Sequence, residues 1–522
     1  MTDRRRLLSR SPAPSLGAPA FAALSLGVLW LLAVSTPLSA GPFEAEIELR
    51  LLDVDDRLVI NRGGPVHDGG DINGDGLADL IIGSGGDTVR VVFGPQGGDD
   101  EGRIALSGLN GASGFAIPVE GLSLGGGGDL NGDGLDDIAV GTATATYVVY
   151  GRRERFAPAV TPDTLDGTNG FVFEAAGNSV AIIDDMNGDG LADLLVGSRG
   201  ADSAGLRDAG RVAIVHGRRG TGPASLGVYN LDGSNGSVAY GEGTLALLGW
   251  SVESAGDMNG DGFGDLVMGA PGTLVDGLDE AGRAYVVHGS GTRVAVRDLA
   301  GIGNAALGAG GFVLEGAQIE ATVGYSGRGI GDINGDGADD LAVGAPGKGP
   351  FGRPGPYPGE AHVVFGGAGI PVRFDTAALD GALGFTARGI RGGVENPAEG
   401  VIGWGDQAGS SVAGAGDLNA DGTADLVIGA PYSIISNARR GNGELYVIWG
   451  RANGGFPARV DLGALDGENG FRLLGAGTTD YTGFSVSPAG DFDDDGIDDL
   501  VFGASGQGES YVLRGVSGAV RP

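Results

Sequence analysis

Asp71-Ile72-Asn73-Gly74-Asp75-Gly76-Leu77-Ala78-Asp79 is a nine-residue phrase that the chain writes seven times. The later copies occupy residues 129–137, 185–193, 257–265, 332–340, 417–425 and 491–499. Near-identical phrases at long intervals are the mark of a repeat architecture, in which each repeat buries its apolar faces only against its neighbours.

The phrase has the donor pattern of a calcium loop. Calcium takes six to eight oxygens, and a short loop supplies them from alternate positions when a glycine at the sixth allows a sharp turn. Position one is always Asp: Asp71, Asp129, Asp185, Asp257, Asp332, Asp417 and Asp491. Position three is Asn73, Asn131, Asn187, Asn259, Asn334, Asn419 or Asp493, and position five is Asp75, Asp133, Asp189, Asp261, Asp336, Asp421 or Asp495. Position six is invariably Gly. Position seven, expected to donate a backbone carbonyl, varies freely as Leu77, Leu135, Leu191, Phe263, Ala338, Thr423 and Ile497. Position nine returns to Asp: Asp79, Asp137, Asp193, Asp265, Asp340, Asp425 and Asp499. The glutamate that an EF-hand needs at position twelve is replaced by Ile82, Val140 and their equivalents, so these are not EF-hands. Asn-Gly and Asp-Gly also make plain hairpin turns. Seven copies that keep acid or amide at positions one, three, five and nine favour metal over mere turning, with up to seven Ca2+ expected.

Each loop runs into a short apolar segment that closes on glycine: Leu80-Ile-Ile-Gly83, Ile138-Ala-Val-Gly141, Leu266-Val-Met-Gly-Ala-Pro271 and Leu426-Val-Ile-Gly-Ala-Pro431. Runs of this length bounded by turns read as buried strands. A second strand signal follows, as in Thr88-Val-Arg-Val-Val-Phe-Gly94 and Leu445-Tyr-Val-Ile-Trp-Gly450, and then a Leu-Asp-Gly phrase leads into another, as in Leu165-Asp-Gly-Thr-Asn-Gly-Phe-Val-Phe173. With a lead-in such as Gly249-Trp-Ser-Val252, each repeat carries four strands and its loop joins the first two. Seven such units predict an all-β, seven-bladed β-propeller of four-stranded antiparallel blades. The segment Asp56-Arg-Leu-Val-Ile60 precedes the first repeat without a blade of its own, and the last repeat stops after its third strand. This segment is therefore expected to complete blade seven and close the ring.

The combination of aromatic-Ser-Val, Gly-Asp-x-Asn-Gly-Asp-Gly and Leu-Val-x-Gly-Ala-Pro resembles the FG-GAP repeat of integrin alpha-subunit propellers and of many exported bacterial proteins. The resemblance spans about residues 43–515 and is sharpest in the loops. The aromatic gives way to Asn178-Ser-Val180 and Ser410-Ser-Val412, and the signature is blurred in the first two repeats. It implies ions in the hairpins on one face, in a structural role, and leaves the opposite face to loops of variable length. Two of those are long: Gly344 to Glu360, rich in proline, and Arg391 to Gln407, which contains Trp404.

Composition agrees with this picture. The 108 glycines among 522 residues are roughly three times the usual share, which calls for turns, and 41% hydrophobic residues suffice for a core. Cysteine is absent, so rigidity has to come from something other than disulfides. Residues 1–40 have the form of a signal peptide: Arg4, Arg5, Arg6 and Arg10, an apolar run from Phe21 to Val34, then Leu38-Ser39-Ala40. The Arg4-Arg5-Arg6-Leu7-Leu8 string faintly resembles a twin-arginine signal, and an uncleaved anchor is the competing reading. The formal charge is −34; without the four arginines and one aspartate of that leader, residues 41–522 carry −37. So acidic a chain disfavours nucleic acid and anionic membranes as partners. Seven bound calcium ions would bring it to about −23.

The expected function is that of a calcium-stabilised, non-catalytic scaffold, secreted, periplasmic or at the cell surface. It would engage a protein or carbohydrate through the loop face of blades three to six. The tripeptide Arg-Gly-Asp is absent, and no leg or membrane segment is read after the seventh repeat, so integrin function itself does not carry over. The resemblance extends to glycosylphosphatidylinositol-specific phospholipase D, where the propeller accompanies a zinc hydrolase domain for which seven repeats leave no room. The rival is a glycan- or ester-active propeller with an acidic active site. Gly121-Leu-Ser123-Leu-Gly125 matches the short serine-hydrolase pattern but lies in a strand position with no helix after it. His216 and His288 share a register, which repetition explains better than a zinc site.

Overall fold

The computed structural model describes residues 45–517 except 53–56, 62–63, 84–85, 95–101, 204, 292–298, 300–301, 303–309, 348–356, 393–394, 397–400, 403–404, 435–440 and 507. The leader assigned to residues 1–40, most of the proline-rich excursion and Trp404 lie outside the described residues.

Seven sheets of four or five strands form the blades. In blade three the strands Ser179–Ile183, Asp193–Ser198, Arg211–Val215 and Gly236–Tyr240 pair antiparallel in chain order. The other six repeat this pairing, blade seven alone taking its fourth strand from the N-terminal segment, with first strands at Val66–Gly70, Ser123–Gly128, Val252–Gly256, Ser326–Gly331, Ser411–Gly414 and Thr482–Gly490. Each nine-residue phrase is the hairpin between strands one and two, and its last aspartate is the first residue of strand two or the residue before it.

The apolar run of strand two is continuous because both of its faces are buried. Leu194 packs with Ala139 and Val148 of blade two, while the next residue, Leu195, packs with Val252 and Leu266 of blade four. Alternate side chains of a strand point to opposite faces, so one strand feeds two seams. Seven apolar clusters result, one per seam. There is no single core: the ring is held by its seams.

The seam between blades seven and one closes as expected. Arg57–Ile60 pairs antiparallel with Glu509–Leu513 as the fourth strand of blade seven, and Leu58 and Ile60 are fully buried beside Val501 and Leu80. The structure adds a device that the four-strand reading omits. The segment before the fourth strand reaches sideways and pairs parallel with the outer strand of the preceding blade. Ser225–Leu226, Arg373–Asp375, Arg459–Asp461, Arg103–Ile104 and Glu46–Glu48 do so as short fifth strands. Ala159 does so by one bridge to Ala116. Glu46–Glu48 latches onto blade six while Arg57–Ile60 completes blade seven, so the N-terminal segment staples two blades.

Candidate functional site

The seven hairpins share one hydrogen-bonded design. The position-one carboxylate folds the loop around itself, accepting from the position-five and position-six N–H groups in every copy, for example Asp75 at 3.0 Å and Gly76 at 2.9 Å on Asp71. Glycine at six is required there, since its φ lies between +79° and +93° in all seven loops. The position-five carboxylate then accepts from the position-seven N–H in six of the loops, as Asp336 does from Ala338 at 3.0 Å.

Position nine does something else. All seven of these aspartates are fully buried. Oδ2 accepts from the position-two N–H and Oδ1 from the glycine N–H that ends strand three, at 2.8–3.1 Å throughout; Asp425, for instance, takes Leu418 at 3.0 Å and Gly450 at 2.9 Å. The strand-end glycines Gly94, Gly151, Gly217, Gly289, Gly366, Gly450 and Gly515 thus belong to the site, anchoring each loop to its own blade. Burial pushes the carboxyl of Asp79 up to about 8 and those of Asp340 and Asp499 up to about 7. A buried carboxylate is comfortable only with compensating charge.

The structure fits a cation on a second count. Asn131, Asn187 and Asp493 at position three each hold a buried Oδ1 without a hydrogen-bond partner, and so does Asp189 at position five. Such orphaned acceptors cost free energy unless a donor or an ion meets them. In the seventh loop Asp491, Asp493 and Asp495 bring three carboxylates within 4.8 Å of one another. Arg514 Nε stands 3.0 Å from Asp493 Oδ2 there, leaving Oδ1 as the open ligand atom. Side chains at one, three, five and nine would hold calcium.

His216 and His288 each approach the position-nine aspartate of their own blade, Nδ1 standing 3.2 Å from Asp193 and 2.8 Å from Asp265. They are brought to separate loops, not to one metal. Ser123 lies in the first strand of blade two and its hydroxyl donates to the Gly177 carbonyl at 2.9 Å, as Ser251, Ser326, Ser411 and Ser485 do to glycine carbonyls in other blades.

Position eight escaped the sequence reading. It is Asp only in loops two, five and seven, and Asp136, Asp339 and Asp498 accept from the position-one N–H of the preceding loop: Asp71 at 2.7 Å, Asp257 at 2.8 Å and Asp417 at 2.9 Å. Alternation with Ala78, Ala192, Gly264 and Ala424 hid it. The residue after the strand-three glycine adds a further link, donating to the position-two carbonyl of the preceding loop, as Arg152 does to Ile72 and Arg451 to Ile333. Neighbouring hairpins are thereby chained along one face.

The opposite face carries aromatic side chains instead. Arg199 Cζ lies 4.2 Å from the ring centroid of Trp250, which packs 5.1 Å from Tyr325. Burial raises the Tyr325 hydroxyl, with Tyr432 adding to the shift, and Tyr432 meets Tyr481 edge-on at 5.5 Å. Phe484, half exposed, follows on the same rim. These residues sit where first strands begin or just after second strands end, so blades three to seven contribute a track around the mouth of the ring. Turns beside it place non-glycine residues at positive φ, among them Leu245, Leu247, Glu320, Thr322, Thr479 and Tyr481, a strained backbone of the kind that clusters at functional surfaces.

Among the described residues no helix is long and apolar enough to cross a membrane. Comparison with known proteins matches residues 176–215, 248–287, 324–364 and 408–448 to the FG-GAP repeat. These are blades three to six, each from the lead-in through the third strand. Integrin alpha pat-2 of Caenorhabditis elegans is 29% identical over 242 residues, 42% of this chain and 17% of that one. Phosphatidylinositol-glycan-specific phospholipase D of Dictyostelium discoideum is 27% identical over 269 residues, 50% of this chain and 25% of that one. The Bos taurus protein of the same name is 34% identical over 186 residues, 36% and 19% of the two chains. The chain thus spans a quarter or less of the length of these curated relatives. Among solved structures, BBS1N in complex with ARL6DN aligns over 89% of this chain and 98% of that one at 10% identity, with a TM-score of 0.42 too low to carry an argument. Motifs, sheets and family match converge: the chain is a seven-bladed β-propeller with FG-GAP repeats in blades three to six.

Proposed function

We propose that this protein is an exported, calcium-braced, non-catalytic propeller that binds a protein or carbohydrate ligand through the face opposite its calcium hairpins. The observation that carries the reading is the aromatic track of Trp250, Tyr325, Tyr432 and Tyr481 with Arg199 beside it. Tyrosine, tryptophan and arginine are the residues that concentrate binding energy at recognition surfaces, since each combines a large flat face with a polar end. The calcium face is committed to its own hydrogen bonds and its loops are near-copies, whereas the opposite face varies blade by blade. Export rests on the leader-like residues 1–40.

The integrin alpha and phospholipase D relatives both match through their repeats, and the scaffold is what they share with this chain. Neither adhesion nor hydrolysis follows from that. A buried acid pair away from the hairpins, Glu444 with Asp406, is taken up by Arg391 and by the Tyr446 hydroxyl, which donates to Glu444 at 2.7 Å. That arrangement is structural. A glycan array and a surface-protein pulldown with calcium-loaded protein test the proposal. Trp250→Ala combined with Tyr432→Ala is expected to weaken capture at least tenfold, with the melting temperature nearly unchanged. Capture unaffected by the pair, or catalytic turnover of a bound glycan, would refute it.

A further inference from the structure

Two seams of the ring are plugged by a phenylalanine delivered from the segment after strand three. Phe156 stacks on Phe115 of the preceding blade at 4.3 Å and 8°, and Phe456 on Phe385 at 4.6 Å and 13°. In both seams a third ring, Phe93 or Phe365, closes the group, and the arginine after the strand-end glycine covers the plug: Arg152 Cζ at 4.2 Å from Phe156, Arg451 Cζ at 4.8 Å from Phe456.

The seam between blades two and three has the same parts without the plug. Tyr150 and Phe171 stand where Phe93 and Phe115 stand, 6.2 Å apart, and Arg218 follows Gly217 as Arg152 follows Gly151. The lateral pairing fixes the register: Leu226 pairs with Phe173 as Val460 pairs with Ala387, and four residues earlier the counterpart of Phe456 is Gly222. The carbonyl of Gly222 overlies the turn glycine Gly167 just as that of Phe156 overlies Gly111. A Cβ built on Gly222 would meet nothing within 4 Å. What remains is a cavity of about 320 Å³ walled by Leu130, Tyr150, Phe171, Val215 and Leu226, with exposed Arg218 at its mouth. Among the described residues neither the Tyr150 hydroxyl nor the Arg218 guanidinium has a hydrogen-bond partner or an ion pair.

We propose that this cavity binds a small planar aromatic molecule, its ring occupying the place that Phe156 and Phe456 fill in the other seams. Phe171 offers the stacking face and Arg218 the cation above it, with the Tyr150 hydroxyl free for a polar substituent. The volume lies at the lower end of the range of small-molecule sites. The ring arrives free and not on a polypeptide, because Gly222 already occupies the backbone position, its N–H bonded to the Gly167 carbonyl at 2.9 Å. The site lies on the hairpin face and is independent of the ligand surface proposed above.

Ligand-observed NMR on the calcium-loaded full chain tests it with phenol and indole as probes and cyclohexanol as the non-aromatic control. Saturable binding of both aromatics, with cyclohexanol at least roughly fivefold weaker, is expected. Gly222→Phe should install the missing plug, abolish binding and raise the melting temperature; Gly222→Leu serves if that variant does not fold. Arg218→Ala should weaken binding roughly three- to tenfold. Failure of the aromatics to bind at millimolar concentration, equal binding of cyclohexanol, or undiminished binding to the filled variant would overturn the assignment.

Discussion

The two faces of this ring are built from the same repeat and obey different rules. On the hairpin face, seven loops keep one pattern of carboxylate-to-backbone hydrogen bonds, down to the fully buried position-nine aspartate. On the other face the connections differ in length, backbone conformation and side chains. The contrast follows from what each face must satisfy. A hairpin folded around its own carboxylates keeps acid or amide at positions one, three, five and nine and glycine at six, and varies only at two, four, seven and eight. A connection that merely returns the chain to the next blade tolerates almost anything, and such loops are where recognition evolves.

The sharpest way to break the comparison is to remove the cation. A ligand at a hundred times its Kd stabilises by about 2.7 kcal/mol per site, so a chelator acting on several filled loops should lower the melting temperature by roughly 10 °C or more. A shift under about 2 °C would mean that the orphaned acceptors on Asn131, Asn187 and Asp493 are met by something other than calcium.

A smaller effect separates anchoring from metal binding. Asp425→Ala strands the Leu418 and Gly450 N–H groups, both buried, at about 1–3 kcal/mol each. Urea unfolding in chelator should therefore show a loss of roughly 2–5 kcal/mol. Asp75→Ala, on an exposed side chain, should show less than about 1 kcal/mol there and reveal its cost only when calcium is present. Equal losses in chelator would assign position nine no anchoring role. Smaller again is Asp136→Ala, which removes the acceptor for Asp71 N–H across the first seam, for about 1–2 kcal/mol. No measurable change would show that the links between loops are passive.

The sequence disclosed most of this because repetition averages out local ambiguity. One Asp-Gly phrase is a turn; seven with the same alternate donors define hairpin, blade and ring together, and the unmatched Arg57–Ile60 strand shows where the ring closes. What stayed hidden had no repeating signal. Asp136, Asp339 and Asp498 alternate with alanine and glycine, so their role needs the neighbouring blade in place. The lateral strands are two or three residues long, too short for periodicity. Trp250 reads from sequence only as part of a strand lead-in, and its stacking with Arg199 and Tyr325 depends on three loops from three blades. Gly222 is informative only beside Phe156 and Phe456, once the lateral pairing sets their register.

The last predicted effect belongs to the variable face. Asp406 is buried beside Arg391 and Glu444, and burial first, then Glu444, pushes its carboxyl up to about 6. An acid whose folded pKa is raised keeps its proton in the native state after the unfolded chain has released it. Between about pH 4 and pH 6 the contribution of Asp406 to stability therefore falls as pH rises, by at most about 1.4 kcal/mol per pH unit, and levels off above. Asp406→Asn removes the titration while conserving shape and an acceptor for the Arg391 N–H. Urea unfolding at pH 4.5, 5.5 and 6.5 in saturating calcium should then show a shallower decline for the variant than for the parent. Parallel declines would place the titrating acid elsewhere, and a decline that vanishes in both proteins would mean that Asp406 stays ionised against Arg391. In either case the variable face would be set by packing alone, and the electrostatic cost of this fold would reside wholly in its hairpins.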